Sequence, residues 1–302
     1  MSFGYQVLGF GSGSAVSLPA NDNGIFMYGV TALTMKNLVS NVGVVAEDAA
    51  GAGTGRNTLA GCEYGDDTGI MAYGIIVGGY TAVSNLIDNS GGVAADVSAV
   101  GAVRGALGAC SYGNDKGIFG FGNPGPTAIS SLVSNVGVIS SDVTGVGTAR
   151  SDLAACEFGG DKGIFGFGQT SVRLSLTNLV SNTGVVATDT TGVGTIRRQL
   201  AACGFGGDQG IFAFGEPTST TGTDATNIVS NTGVVATDVT GVGQARNSLA
   251  GCEYGGDKAI VAYGYIAPVT AVSNLISNTG VVAADVTGVG TARSGIGSCS
   301  YN

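Results

Sequence analysis

The sequence predicts an all-β protein in which six units of four short strands close into a ring. Three observations predict it. One set of residues recurs about every 47 positions, each unit divides into short apolar segments between glycine-containing turns, and the two ends of the chain are complementary parts of one unit. This repeat length is typical of four-stranded blades that share one continuous core. The 302 residues are therefore expected to form one ring rather than two domains.

Three markers define the repeat. Successive cysteines are 48, 46, 47, 49 and 47 residues apart, and each follows an arginine by six positions. An aspartate at a tight turn precedes an isoleucine in every unit. The cysteines are Cys62, Cys110, Cys156, Cys203, Cys252 and Cys299; the arginines are Arg56, Arg104, Arg150, Arg197, Arg246 and Arg293; the turn aspartates are Asp22, Asp67, Asp115, Asp161, Asp208 and Asp257.

One unit illustrates the predicted strands. Strand a covers Leu153–Phe158 and strand b covers Ile164–Phe167, and the Gly-Gly-Asp-Lys turn between them favours a tight reversal. Strand c covers Thr177–Ser181, and strand d covers Val185–Thr188. No segment has an apolar period of 3.6 residues with helix caps, so essentially no helix is expected.

The ends of the repeat array predict that the ring closes. The first unit begins with strand b at Gly24–Tyr28, and the chain finishes with strand a at Ile296–Tyr301. An open array would leave both half-units with unpaired edges, which invite aggregation. Pairing of the terminal strands completes six blades, so the prediction for residues 21–302 is a six-bladed β-propeller. Residues 1–20 are uncharged and apolar, and they are expected to form an arm that is frayed or adds a strand, or that docks on another subunit.

Composition narrows the function. The chain has 21 acidic and 12 basic residues and a net charge of −9, which argues against nucleic-acid binding. No apolar run reaches the roughly 18 residues of a membrane span, and the first residues lack the charged start and apolar core of a secretory signal. Glycine accounts for 55 residues without a three-residue period, which excludes collagen.

The order of each unit resembles the kelch repeat over residues 21–302: arginine, a strand of small residues, a glycine turn, a strand ending in Phe-Gly or Tyr-Gly, and two further strands. The chain departs from that pattern in having no tryptophan and a single glycine where kelch units carry two. The Asp-Lys-Gly turns are similar to the Asp-box of sialidase-type propellers, without its serine and tryptophan. The Met-Ser-Phe-Gly-Tyr-Gln-Val-Leu-Gly-Phe-Gly start and the glycine-rich units resemble tail or fibre proteins of environmental bacteriophages. The resemblance to phage tail or fibre proteins implies a virion protein made in the host cytoplasm, with an arm that contacts other virion proteins.

The repeated cysteines and charges are predicted to be structural. Symmetry places the cysteines in different blades, too far apart for disulfides, and zinc needs clustered Cys or His ligands whereas the chain has no histidine. Free buried thiols are therefore expected, with no metal and no cofactor. The repeated arginines are expected to bond carboxylates or loop carbonyls between blades; an anion-binding ring is the alternative. The matching strand-d aspartates are Asp48, Asp96, Asp142, Asp189, Asp238 and Asp285.

Catalysis finds little support, because the absence of histidine excludes Ser-His-Asp and Cys-His arrangements. A carboxylate pair for glycoside hydrolysis stays open. The b–c loops differ between units and emerge on one face, which is typical of a binding surface. The function expected is a non-enzymatic attachment protein that binds a host glycan or a neighbouring subunit; a free-standing lectin or interaction scaffold and a glycan-active enzyme are the alternatives. Candidate loop residues are Lys36, Tyr80, Asn123, Arg173, Glu216, Asp224 and Tyr265.

Overall fold

The computed structural model describes residues 23–30, 34–98, 100–218 and 221–301, and within them all regular secondary structure is β-strand. The strands form several small antiparallel sheets. None of these residues belongs to a helix long and apolar enough to cross a lipid bilayer. The predicted arm, residues 1–20, and Asp22 lie outside the described residues.

Each unit contributes three main strands. The a strands are β4 (Ala60–Tyr64), β9 (Gly108–Tyr112), β12 (Ala154–Phe158), β15 (Ala201–Phe205), β18 (Ala250–Tyr254) and β21 (Gly297–Tyr301). The b strands are β1 (Asn23–Met27), β5 (Thr68–Ala72), β10 (Lys116–Gly120), β13 (Lys162–Gly166), β16 (Gln209–Ala213) and β19 (Lys258–Ala262). The c strands are β2 (Met35–Val39), β8 (Ser84–Ile87), β11 (Ser130–Val133), β14 (Thr177–Val180), β17 (Thr226–Val229) and β20 (Ser273–Ile276). Three two-residue strands complete the set: β3 (Ala49–Ala50), β6 (Ile75–Ile76) and β7 (Gly79–Tyr80).

The a–b hairpins follow from their turn residues. Phe158 pairs with Lys162, and the intervening Gly159 and Gly160 have φ angles of 64° and 73°. This left-handed region is costly for residues with a Cβ and open to glycine. The units that lack the second glycine carry Asp66 or Asn114 at the same place, the residue types that best tolerate a positive φ.

The terminal strands pair as predicted. β21 lies antiparallel to β1, with Ile25 opposite Cys299, and the resulting sheet has the order β21-β1-β2-β3. The other five main sheets each contain three consecutive strands of one unit; within one b–c loop, β6 and β7 form a separate two-stranded sheet. The chain therefore supplies its last strand to the sheet that contains its first.

The predicted fourth strand is mostly wrong. No regular strand covers the predicted position: β3 of the first unit begins only after Asp48, and in the other units the d segment and the residues after it make two isolated bridges to the c strand, such as Val180 with Val186 and Thr177 with Thr190. Two residues lie between the bridge partners on β14, but three lie between those on the d side, so one extra residue bulges from the ladder. The side chain of Asn178 fills this gap by donating to the carbonyl of Ala187.

A closed cycle of backbone hydrogen bonds joins the six units just before their a strands. Each N–H donates to the carbonyl of the equivalent residue one unit earlier, at 2.7–2.8 Å, and the N–H of Thr58 donates to the carbonyl of Gly295. The a strands also pack side by side in the order β4, β9, β12, β15, β18, β21 and back to β4. The residues of this cycle are Thr58, Ala106, Asp152, Gln199, Ser248 and Gly295.

The core lies between neighbouring sheets. Six hydrophobic clusters each combine side chains of two adjacent sheets; in one of them Phe167 and Phe212 meet edge to face at 5.1 Å between ring centroids. All six cysteines are buried free thiols. Their sulfur atoms lie against the b strand of the next sheet, where a Cβ added to Gly163 would come within 2.4 Å of Sγ of Cys110. Burial raises the pKa of these thiols, so they behave as small apolar groups.

Candidate functional site

The six repeated arginines are buried inside the sheets, with at most 1% of their surface exposed. Nε of Arg197 donates to the carbonyl of Phe214 at 2.8 Å, and Nη2 donates to Oδ1 of Asn227 at 2.6 Å. The guanidinium carbon lies 4.1 Å from the ring centroid of Phe167, which belongs to the preceding unit. Each arginine therefore bonds within its own unit and stacks on an aromatic ring of the previous one. None of these six guanidinium groups is exposed to solvent, which argues against the alternative of an anion-binding ring.

The repeated aspartates hold the connections that enter each sheet. Asp238 accepts hydrogen bonds from the N–H and hydroxyl of Thr195 and from the amide of Asn227, and it lies 3.7 Å from Nη1 of Arg197. Burial raises the pKa of the Asp238 carboxyl, but these hydrogen bonds and the arginine outweigh burial and lower it overall. These charges recur because they fasten the connections, so a function must be sought where the units differ.

The a strands surround a row of three cavities. A cavity of about 140 Å³ opens at the b–c loop end, one of about 50 Å³ lies at the level of the cysteines, and one of about 250 Å³ opens at the a–b turn end. All six units line the first two cavities. The row of cavities therefore has an opening, or mouth, at each end, and different residues line the two mouths.

The mouth at the a–b turns is acidic. Glu63, Glu157 and Glu253 line it, and each directly follows the cysteine of its strand. They stand in alternate units, and the units between them carry Ser111, Gly204, Ser300 at the same position. A Cβ on Gly204 would come within 1.7 Å of Oε1 of Glu253, so this glycine leaves room for the carboxylate.

The pKa of Glu157 is raised well above its ordinary value. Burial is the largest cause, and the nearby carboxyl groups of Glu253, Glu63 and Asp161 raise it further. The folded protein therefore binds a proton at Glu157 more tightly than the unfolded chain does. The stabilisation from this tighter proton binding is complete below the pKa that Glu157 has in the unfolded chain. It is lost as the pH rises through the pKa that Glu157 has in the folded protein. We expect Glu157→Gln to raise the melting temperature at pH 7–8 and to change it little near pH 4.

Melting curves across this pH range test the effect of Glu157, with Glu47→Gln, an exposed carboxylate on a d segment, as the matched control. A Glu157→Gln variant that follows the parent curve at every pH would contradict a buried, proton-binding carboxyl at this mouth.

The mouth at the b–c loops is formed by the residues of the hydrogen-bonded cycle. All six have left-handed backbones, with φ between 50° and 61°. Only Gly295 is a glycine; Thr58 is even β-branched, the least suited to this region. A non-glycine residue in such a conformation costs about 1–2 kcal/mol. Three polar residues from adjacent units, Asp152, Gln199 and Ser248, line the same cavity.

Beside this mouth, one sector carries a chain of polar contacts that differs from the repeat. Nε2 of Gln169 donates to Asp152 at 2.7 Å, and its Oε1 accepts from Nη1 of Arg198 at 2.9 Å. Arg198 also pairs with Glu216 at 2.9 Å, and Arg173 contacts the other oxygen of that carboxylate at 2.7 Å. In other units Asn57, Gly105, Ser151, Asn247 and Ser294 stand where this one has Arg198.

The structure brings together two of the seven predicted loop residues, Arg173 and Glu216. Lys36 lies in strand β2 rather than in a loop, and its amine donates to the carbonyl of Gly91 at 2.7 Å. Tyr80 lies in β7, and Asn123 is bonded through its backbone to Gly105. Asp224 is half-buried, and Tyr265 is 46% exposed.

Several residues at the two mouths were missed by the sequence reasoning. The glutamates could have been found by comparing the residue after each cysteine, because the series Glu, Ser, Glu, Gly, Glu, Ser alternates. The same comparison two positions after each repeated arginine gives a variable position that precedes a leucine or, once, an isoleucine: Thr58, Ala106, Asp152, Gln199, Ser248 and Gly295. Within the described residues, no group of three or more His, Cys, Asp or Glu side chains has the arrangement of a metal site.

No protein-family model matches the chain, and no curated protein matches it either. The geometry of the two mouths and of the loops around them therefore carries the information about function.

Proposed function

We propose that the six main sheets are the blades of a closed, kelch-like six-bladed propeller that serves as a non-enzymatic attachment protein. The closed cycle of hydrogen bonds and the pairing of β1 with β21 support the ring. Each blade would consist of three strands and a bridged d segment. Such a ring is a rigid support for the loops that emerge at its two ends.

The observation that carries the attachment role is the distribution of differences between units. The buried arginines, aspartates and cysteines are the same in every unit, whereas the contacts from Asp152 through Arg198 to Arg173 occupy one sector of the b–c loop end. A constant scaffold with one distinctive surface is how binding sites are commonly built. We propose that this surface binds a glycan on a host cell.

The rim of the ring supports a role in assembly. Val185 accepts and Ala187 donates the hydrogen bonds to the c strand, so the N–H and C=O of Val186 point away from the sheet. Val185 itself is 64% exposed, and equivalent valines stand on four other d segments. Open edges and exposed apolar groups favour contact with other proteins. We propose that the arm of residues 1–20 attaches the chain to a particle, and the resemblance of the first residues to phage tail proteins favours a virion.

A glycan-active enzyme is the second candidate function, favoured by the acidic mouth. A carboxyl with a raised pKa beside other carboxyl groups is the arrangement of a general acid with its partner. Release of free sugar from bound glycans, abolished by Glu157→Gln, would support that candidate against attachment. A free-standing lectin would bind the same glycans and would be missing from purified particles.

The proposed function is tested by binding of the full chain to a glycan microarray. We expect retention of a glycan without release of sugar, and we expect Arg173→Ala and Tyr265→Ala to weaken retention at least tenfold, because both change the b–c loop surface. Lys258→Ala is the matched control, since this exposed side chain lies at the opposite end, beside the a–b turn. Equal retention by all four proteins would show that another surface binds.

A further inference from the structure

The structure points to a specific pocket for the ligand. We propose that the 140 Å³ cavity at the b–c loop mouth binds one neutral sugar ring, such as the terminal residue of a glycan, through the side chains of Asp152, Gln199 and Ser248. This inference rests on the proposed glycan binding and adds the site and the chemical class of the ligand.

Recognition of a ligand at this mouth depends on side chains, because the backbone polar groups are already hydrogen-bonded. The N–H and C=O groups of the six mouth residues bond to one another around the cycle. The polar side chains at this mouth are therefore those of Asp152, Gln199, Ser248 and Thr58, and all four residues line the cavity. The hydroxyls of Ser248 and Thr58 already donate, to Oδ1 of Asn247 and to the carbonyl of Asn57, so they offer a ligand acceptor lone pairs. The Asp152 carboxylate accepts from Gln169 and Ser151 and keeps further lone pairs for ligand hydroxyls. A carboxylate accepts hydrogen bonds from two hydroxyl groups, and an amide both donates and accepts.

The retained strain is an independent reason to place a ligand here. Gly295 demonstrates that glycine fits the cycle, and glycine would remove the steric cost at the other five positions. Thr58, Asp152, Gln199 and Ser248 nevertheless keep polar side chains in the left-handed region. Strained residues of this kind concentrate at ligand-binding sites, where the strain is retained for the side chain it positions.

The apolar floor of the cavity and its one charged residue indicate which class of ligand it binds. Ala60, Gly108, Ala155 and other small residues line it below the rim, so its floor is apolar. Asp152 is the one charged residue that lines the cavity, and Nε2 of Gln169 donates a hydrogen bond to its carboxylate. An apolar floor under a few placed polar groups is typical of small-molecule sites. It matches a sugar ring, which presents C–H groups on its face and hydroxyls at its edge, and the carboxylate disfavours acidic sugars.

The test uses the same microarray, followed by titration calorimetry with the monosaccharide at the end of the retained glycan. We expect Asp152→Asn to reduce affinity at least tenfold, because the amide offers one acceptor oxygen in place of two. Asparagine tolerates a left-handed backbone, so this variant is expected to melt at the parent temperature. Ser248→Gly should also weaken binding, with an unchanged or raised melting temperature.

Asp161→Asn is the matched control, because that carboxylate belongs to an a–b turn at the opposite end. If Arg173→Ala weakens binding while Asp152→Asn and Ser248→Gly do not, the attachment function stands and the pocket is overturned. If the retained glycans end in acidic sugars, or if no glycan is retained, the neutral sugar is overturned as the ligand.

Discussion

Deletion of residues 296–302 is expected to abolish cooperative folding. It removes β21, which pairs with β1 along five residues and packs against β4 and β18 on its two sides. It also removes the buried side chains of Ile296, Cys299 and Tyr301. Burial of a large side chain contributes about 1.5–3 kcal/mol, and a domain is stable by only about 5–15 kcal/mol, so the loss approaches the whole stability.

Circular dichroism and thermal melting measure the effect of this deletion on the soluble protein. Removal of Asn302 alone is the control for shortening the chain, and we expect it to melt at the parent temperature. Ser300→Ala provides a graded variant, because the Ser300 hydroxyl accepts a hydrogen bond from the N–H of Glu253 at 2.8 Å. A 296–302 deletion that still unfolds cooperatively at the parent temperature would exclude a ring closed by this strand.

The repeat made most of the strand order predictable. Glycine turns and short apolar segments recur in register, so the a, b and c strands and the pairing of the two ends followed from the sequence. The structure of the d segment did not follow from the sequence. Its apolar pattern is that of a strand, but the side-chain amide of Asn178 bonds to the carbonyl of Ala187 in place of a regular ladder. Side-chain amides that bond to the main chain offer it an alternative to the ladder.

The candidate sites were less predictable than the fold. Arg173 and Glu216 stood out as loop residues, but their pairing depends on how two neighbouring units approach each other. The mouth residues carried a misleading local signal, since Thr58 and Ala106 are not residues that favour a left-handed backbone. Their conformation arises from the cycle of hydrogen bonds between units, which no single segment of the sequence encodes.

Arg197→Ala is expected to lower the free energy of unfolding by about 3–5 kcal/mol, the usual result of removing one partner from a buried charged contact. The substitution leaves the carbonyl of Phe214 and Oδ1 of Asn227 buried without their donor, and each such group costs about 1–3 kcal/mol. It also removes the cation that stacks on Phe167 and lies near Asp238. The midpoint of urea unfolding, compared at equal slope, measures the loss.

Three further variants test the role of Arg197, and one of them separates its guanidinium geometry from its charge. Arg197→Lys keeps the charge but not the planar fork that reaches several acceptors, so we expect an intermediate loss. Lys162→Ala is the matched control: its ion pair with Asp161 is largely exposed, and pairs of this kind contribute about 0–1 kcal/mol. Since Arg246 makes the same contacts in its own unit as Arg197, Arg246→Ala should repeat the result of Arg197→Ala. Midpoints for both alanine variants within error of the parent protein would mean that the arginines are dispensable for the ring and that their repetition has another cause.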